Sequence, residues 1–237
     1  MVSRIRIALD GPAGSGKSTV AKGVAHKLNY IYIDTGAMYR AVTLKALENN
    51  IPVDDAEMLT RMMEDTEIVL RYERHGNESV MHVFLDGRDV SEAIRGLEVT
   101  ANVSPVAAVA GVRQALVSMQ RKMAEQGGVV MDGRDIGTVV LPQAELKVFL
   151  TASVAERGRR RWLELREKQM EVDLAEIIAQ IEKRDDYDSH REVDPLRQAD
   201  DAILVDTTEM SKEEVIDYIV KLALERGARI EPSSVDA

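Results

Sequence analysis

Cysteine is absent from the 237 residues, which excludes a disulfide framework and any thiolate metal site. Histidine is scarce: His26, His75, His82 and His190 are scattered without ligand spacing. Any required metal is therefore expected to be a hard cation held by oxygens and phosphates. No uninterrupted apolar run could span a bilayer, and the opening residues lack the apolar stretch of a signal peptide. The expected location is the cytoplasm, with no membrane partner. No Gly/Ser-rich or Pro-rich stretch separates independent domains, so one domain with insertions is expected. Basic charge is in deficit as well. A formal net charge of -10 argues against a nucleic-acid partner, whose affinity would rest on a basic face.

What is present is enough chain, 45% hydrophobic, to bury one substantial core. Within the acidic whole, Arg157, Arg159, Arg160 and Arg161 cluster tightly. Such a cluster suits a small anionic ligand, or else is a solvated helix face laced with salt bridges.

The patterning predicts strands alternating with helices. Ile5–Leu9 reads as a strand ending in Asp10-Gly11-Pro12, and Lys17–Leu28 reads as a helix with Val20, Val24 and Leu28 on one face. A strand over Tyr30–Ile33, a helix over Met38–Asn49 and a helix starting near Asp54 or Asp55 follow. Between Glu67 and Arg88 two β-prone runs flank His75-Gly76-Asn77-Glu78, a hairpin signal. Helices then cover Glu98–Gln126, stopped by Gly127-Gly128. Strands at Val129–Met131 and Leu146–Leu150 precede two helices, the second capped by Asp173. The last strand is Ile203–Val205, and Ser211 and Glu214 have capping-box spacing before the final helix. Alternating strands and helices imply an α/β fold. Its mainly parallel sheet is flanked by helices, with ligands at the carboxyl ends of the strands.

Gly11-Pro12-Ala13-Gly14-Ser15-Gly16-Lys17-Ser18 matches G-x-x-x-x-G-K-[ST] in full, with a strand before it and a helix after it. Inward-pointing backbone N–H groups need glycine, the helix start directs its positive end at the same anion, and Lys17 adds a point charge. Ser18 can ligate Mg²⁺, and Thr19 follows it in the helix. The motif predicts binding of a nucleoside triphosphate with Mg²⁺. A GTPase, an ATPase or a metabolite kinase would share it. The Asn-Lys-x-Asp segment that reads guanine is missing.

Three further segments point to a second, phosphate-bearing substrate: Asp34-Thr35-Gly36-Ala37-Met38-Tyr39-Arg40, Asp132-Gly133-Arg134-Asp135 and Arg184-Asp185-Asp186-Tyr187-Asp188-Ser189-His190-Arg191. The ordered set GPAGSGKST, DTGAMYR, DGRDIGT and RDDYDSHR resembles that of the bacterial cytidylate kinases over almost the whole chain. The antiparallel insertion resembles their enlarged monophosphate-binding region.

The resemblance implies ATP-dependent phosphorylation of CMP and dCMP, with Arg40, Arg134 and Arg191 on the monophosphate. It implies Thr35, Arg113 and Asp135 on cytosine, and Ser104, Arg184 and Asp188 on the sugar. Arg157, Arg160 and Arg161 would belong to a lid over the transferring group. Thr207, in Asp206-Thr207-Thr208, would lie beside adenine. It implies a core of about residues 1–37, 100–155 and 198–226, a monophosphate-binding region of about 38–99 and a lid of about 156–197. Thr35 replaces the serine of some members and keeps the hydroxyl.

The residue chemistry agrees. A carboxylate such as Asp135 accepts from cytosine N4 and repels uracil O4, a discrimination of roughly 1–3 kcal/mol. Arg113 suits the O2/N3 acceptor edge. The alternatives are an ion pair with a neighbouring arginine for Asp135 and a surface salt bridge for Arg113. Asp34 or Asp132 is expected to orient the waters of the metal. A kinase for UMP or AMP is the nearest rival, and a nucleotide-binding regulatory module the rival of another class. A monomer is expected.

Overall fold

The computed structural model describes residues 4–75, 78–167 and 169–230. Along the chain, β1 (Arg6–Asp10) leads through the glycine loop into α1 (Lys17–Leu28), then β2 (Ile31–Asp34), α2 (Thr35–Glu48) and α3 (Ala56–Met62). Next come β3 (Ile68–His75), β4 (Glu78–Leu85), the two-residue β5 (Arg88–Asp89), α4 (Leu97–Ala108) and α5 (Ala110–Met123). Then follow β6 (Val129–Gly133), a π-helical turn at Ile136–Val140, β7 (Leu146–Thr151), α6 (Val154–Glu167), α7 (Leu174–His190), β8 (Ile203–Asp206) and α8 (Lys212–Glu225). Among the described residues, no helix is long and apolar enough to cross a membrane.

The chain divides into two compact units. One comprises Met1–Ile33 and Gln126–Ala237, the other Asp34–Glu125, as far as their residues are described. In the first, the described strands form a sheet of order β2-β6-β1-β7-β8, and β1 pairs in parallel with both β6 and β7. Every residue of β6 is buried, as expected of a strand covered on both faces. Ile7, Leu9, Val130 and Val148 pack with Val20, Val24 and Leu28 of α1 and with Ile216 and Ile219 of α8. The stripe Val20, Val24, Leu28 is thus the core face of α1. Ser211 and Glu214 form the capping box of α8, and Asp173 caps α7 through Ala175 N and Glu176 N. Leu165 of α6 packs on Ile177 and Ile181 of α7, making a small cluster of its own.

The second unit pairs β3, β4 and β5 antiparallel, with Ile68 opposite Leu85 at the open end of the β3–β4 register. At the other end of the expected hairpin, Gly76 and Asn77 lie outside the described residues. Met38, Val42, Leu59, Ile68, Val83, Val103 and Leu116 share one core. Asp55 is the N-cap of α3, accepting from Met58 N at 2.9 Å.

Several boundaries differ from the sequence reading by one to three residues, and two differences have a clear local cause. α2 starts at Thr35, three positions earlier than expected, because the Asp34 carboxylate accepts from Ala37 N and starts the helix through Gly36. The helical stretch after Glu98 breaks at Val109, whose backbone is extended with φ −70° and ψ 119°. Pro105, inside α4, has no N–H for the helical ladder, and the helix ends one turn later.

Candidate phosphate- and nucleotide-binding site

The glycine loop leaves β1 where β1 lies between β6 and β7. Leu9 stands opposite Asp132 and Asp10 opposite Gly133 in the register with β6. Gly11 has φ +147°, and a Cβ there would lie 2.0 Å from the Leu150 carbonyl oxygen, so only glycine fits. Gly16 is the N-cap of α1, and Lys17 is its first residue. Pro12 and Ser15 are buried, Ala13 is half-buried, and Gly14, Ser18 and Thr19 are exposed.

Lys17 is 5% exposed, and its Nζ donates to Pro12 O at 2.6 Å and to Ser15 Oγ at 3.3 Å. Burial lowers its pKa well below the ordinary lysine value, and the nearby charge of Arg134 acts in the same direction. Asp132 and Asp10 oppose them. Bound phosphates would favour the ammonium form, which suits a lysine whose ligand is anionic.

Ser18 Oγ donates to Asp132 Oδ2 at 2.8 Å, and Tyr32 Oη donates to Asp132 Oδ1 at 2.9 Å. Of the two aspartates expected near a metal, Asp132 stands against Ser18, whereas Asp34 caps α2 at 3.0 Å from Ala37 N. Among the described residues, no group of three or more His, Cys, Asp or Glu is placed to hold a metal ion. An all-protein cage is therefore not built here. A hydroxyl and one carboxylate are the hard donors that a phosphate-bound Mg²⁺ uses, so these residues fit that ion.

The segment after Asp132 meets α7 within the same unit. Arg134 Nε donates to Asp188 Oδ2 at 2.9 Å, and Arg184 Nε lies 3.9 Å from the same oxygen. Arg191 Nη2 stands 3.5 Å from Asp135 Oδ1, with both side chains almost fully buried. Arg191 also donates from Nε to Asp194 O at 2.7 Å. The ion pair that sequence alone offered as the alternative for Asp135 therefore exists.

The arginine cluster on α6 divides by helix face. Arg157, 4% exposed, donates to Ala152 O at 3.0 Å and Ala13 O at 2.9 Å and is paired with Asp185. Asp185 Oδ1 accepts from Ala13 N at 3.2 Å, so the Arg157–Asp185 pair grips both polar groups of one residue in the glycine loop. Arg160 donates to Thr207 Oγ1 at 3.0 Å and Thr207 O at 2.7 Å. Thr207 is itself 2% exposed and bonded to Thr151 O. Arg159 and Arg161 pair with Glu156 and Glu164 on the solvated face, as the salt-bridge alternative expects.

In the second unit, Arg40 Nη1 donates to Thr100 Oγ1 at 2.8 Å, joining α2 to α4. Thr35 is buried at the start of α2, and Ser104 is half-buried on α4. Arg113 is 2% exposed, donates to Ala107 O at 3.1 Å and lies 5.5 Å from the centre of the Tyr39 ring. A surface salt bridge is excluded for Arg113 by that burial.

Sequence reasoning missed Asp185, Asp10 and Tyr32. Asp185 sits one residue from Arg184, a step of about 100° around the helix, so it leaves the face that carries Arg184 and Asp188. Its presence in the RDDYD segment was the available signal.

A glycine loop between a central parallel strand and a helix, closed around a buried lysine and flanked by a Ser–Asp pair, defines the class as a P-loop nucleotide-binding protein. Comparison with known proteins narrows it. Residues 7–225 match the family model described as Cytidylate kinase. A cytidylate kinase of Desulfitobacterium hafniense (strain Y51) is 53% identical, covering 94% of each chain. One of Desulforamulus reducens is 56% identical over 90% of this chain and 94% of its own. An uncharacterized protein from Eubacterium ventriosum shares the fold at TM-score 0.50 and 15% identity, over 92% of this chain and 98% of that one. The chain belongs to the cytidylate kinase family.

Proposed function

We propose that the chain transfers the γ-phosphoryl group of ATP to CMP and dCMP, giving CDP and dCDP. The observation that carries this reading is a single four-residue segment at the end of β6. Asp132 meets the P-loop serine, while Arg134 meets Asp188 of α7 and Asp135 meets Arg191, the residue after α7. One strand end therefore serves both the donor loop and the acceptor-binding residues.

The acceptor oxygen of a nucleoside monophosphate is already ionised near neutral pH, since its second pKa is about 6. No general base is needed, and the protein's task is alignment and charge neutralisation. An acceptor phosphate oxygen bonds to the γ-phosphorus as the bond to the β,γ-bridging oxygen breaks, and ADP leaves with that electron pair. Lys17 and the P-loop residues Gly11 to Thr19, whose backbone N–H groups other than at Pro12 are donors, hold the donor phosphates. Ser18 and Asp132 would hold Mg²⁺, which neutralises phosphate charge when bound. Arg40, Arg134 and Arg191 take the acceptor phosphate. Thr35, Arg113 and Asp135 read cytosine, Ser104, Arg184 and Asp188 the sugar, and Thr207 adjoins adenine. For Arg157, Arg160 and Arg161 to reach the transferring group, each would exchange its present partner for phosphate oxygen. An arginine so placed is worth about 10³–10⁵ in rate.

The division into core, monophosphate-binding region and lid belongs to the same proposal, as do a monomeric state and a cytoplasmic location. Neither a nucleic acid nor a membrane takes part. ATP labelled in its γ-phosphate tests the reaction. The label is expected to appear in CDP when CMP is supplied, whereas release as free phosphate without CDP would overturn the reading.

A further inference from the structure

Asp10 has no part in the reaction just described, yet it is a buried carboxylate, 4% exposed, at the root of the P-loop. Its two oxygens are both engaged. Oδ1 accepts from Ile136 N at 2.7 Å and Oδ2 from Gly137 N at 2.7 Å, across 126 and 127 positions of chain. These amides open the π-helical turn Ile136–Val140 and directly follow Arg134 and Asp135. The distances are those of charge-assisted bonds. Gly137 makes the approach possible: a Cβ there would stand 3.3 Å from Asp10 Oδ2 and 3.1 Å from Lys147 Cδ.

We infer that Asp10 is a positioning residue for acceptor recognition. By holding Ile136 N and Gly137 N it fixes the backbone that aims Arg134 at Asp188 and Asp135 at Arg191. The inference rests on the reading that Arg134 binds the acceptor phosphate and Asp135 the cytosine. A carboxylate is needed because two parallel N–H groups require two acceptors, and no other uncharged or charged side chain of that size offers them. Burial raises its pKa to about 6, while the two amides and the charge of Lys17 pull the other way, so the carboxylate is ionised and accepting at neutral pH. Asp10 immediately precedes Gly11, so the same anchor ties the first residue of the donor loop to the acceptor segment.

The test is Asp10→Asn, which keeps the shape but turns one acceptor into an NH₂ group facing an N–H. The expected result is a rise of roughly ten-fold in KM for CMP and a smaller CMP-to-UMP ratio of kcat/KM, with KM for ATP changed less than about two-fold. Gly137→Ala, which crowds Asp10 Oδ2 while keeping the carboxylate, should move the same two quantities in the same direction and decides the matter if Asp10→Asn does not fold. An unchanged KM for CMP, or an equal rise in KM for ATP, would overturn the inference. Asp135→Asn is measured alongside. If that variant keeps the wild-type CMP-to-UMP ratio, the cytosine reading fails, and Asp10 is then judged on KM for CMP alone.

Discussion

Arg134 donates its Nε to Oδ2 of Asp188 at 2.9 Å, joining the residue that follows β6 to the last turn of α7. Asp188 is nearly buried and Arg134 mostly so, and Nη1 of Arg134 also lies 3.5 Å from Gly133 O, which leaves the guanidinium fixed in direction. Asp188→Asn should therefore lower kcat/KM for CMP about 10–100-fold, the loss of one charge-assisted hydrogen bond. KM for ATP should stay within about two-fold. Steady-state kinetics with each substrate varied in turn decides this.

Lys17 is held inside its own loop by Pro12 O at 2.6 Å. Lys17→Met removes the charge and keeps the length of the side chain. Turnover should fall by about 10²–10³, as for loss of one preorganised electrostatic group. Circular dichroism and melting should match the wild type, because the variant also relieves the burial of an ammonium group. A variant that keeps more than a tenth of wild-type turnover would contradict the assignment.

Asp185 and Arg157 grip Ala13 N and Ala13 O of the P-loop from α7 and α6. Asp185→Asn should leave Arg157 without its ionic partner in a nearly closed environment, and KM for ATP should rise roughly ten-fold. KM for CMP should move less. An effect confined to CMP would show that Asp185 serves the acceptor residues on its own helix instead.

Asp10 carries a signature in stability as well as in catalysis. Burial raises its pKa from 3.8 to about 6. The folded protein therefore holds a proton that the unfolded chain has already released, and this contribution to stability is present at low pH and lost as pH rises through 6. Two pH units correspond to on the order of 3 kcal/mol. Denaturant titrations from about pH 4 to pH 8 should show wild type losing stability relative to Asp10→Asn up to about pH 6.5 and a constant difference above it. A difference independent of pH throughout would contradict the buried, ionising carboxylate.

What could be read from sequence was what local rules determine. The P-loop is a contiguous strand-turn-helix signal, and α1 runs from Lys17 to Leu28 as its apolar stripe requires. The caps at Asp55, Asp173 and Ser211 act within three or four residues of themselves, so their side chains announce them. Asp34 follows the same rule, but the glycine at position 36 hid it. The π-helical turn after Asp135 was not legible, because its first amides are held by Asp10 from the far side of the sequence. Likewise the arginine cluster gives no hint of which members turn inward. Only the phase of α6 against the P-loop sends Arg157 to Ala13 and Arg161 to Glu164. The family's motifs supplied the proposed site residues; the partners that orient them come from tertiary contact.

The most direct test of the whole account is kcat/KM measured with saturating ATP for CMP, dCMP, UMP, AMP and GMP separately. Recognition of the cytosine amino group by one carboxylate predicts that CMP and dCMP exceed UMP by about 10–100-fold, with AMP and GMP lower still. Equal values for CMP and UMP would leave a P-loop kinase but remove the role given to Asp135, and no acceptor dependence at all would contradict the central claim.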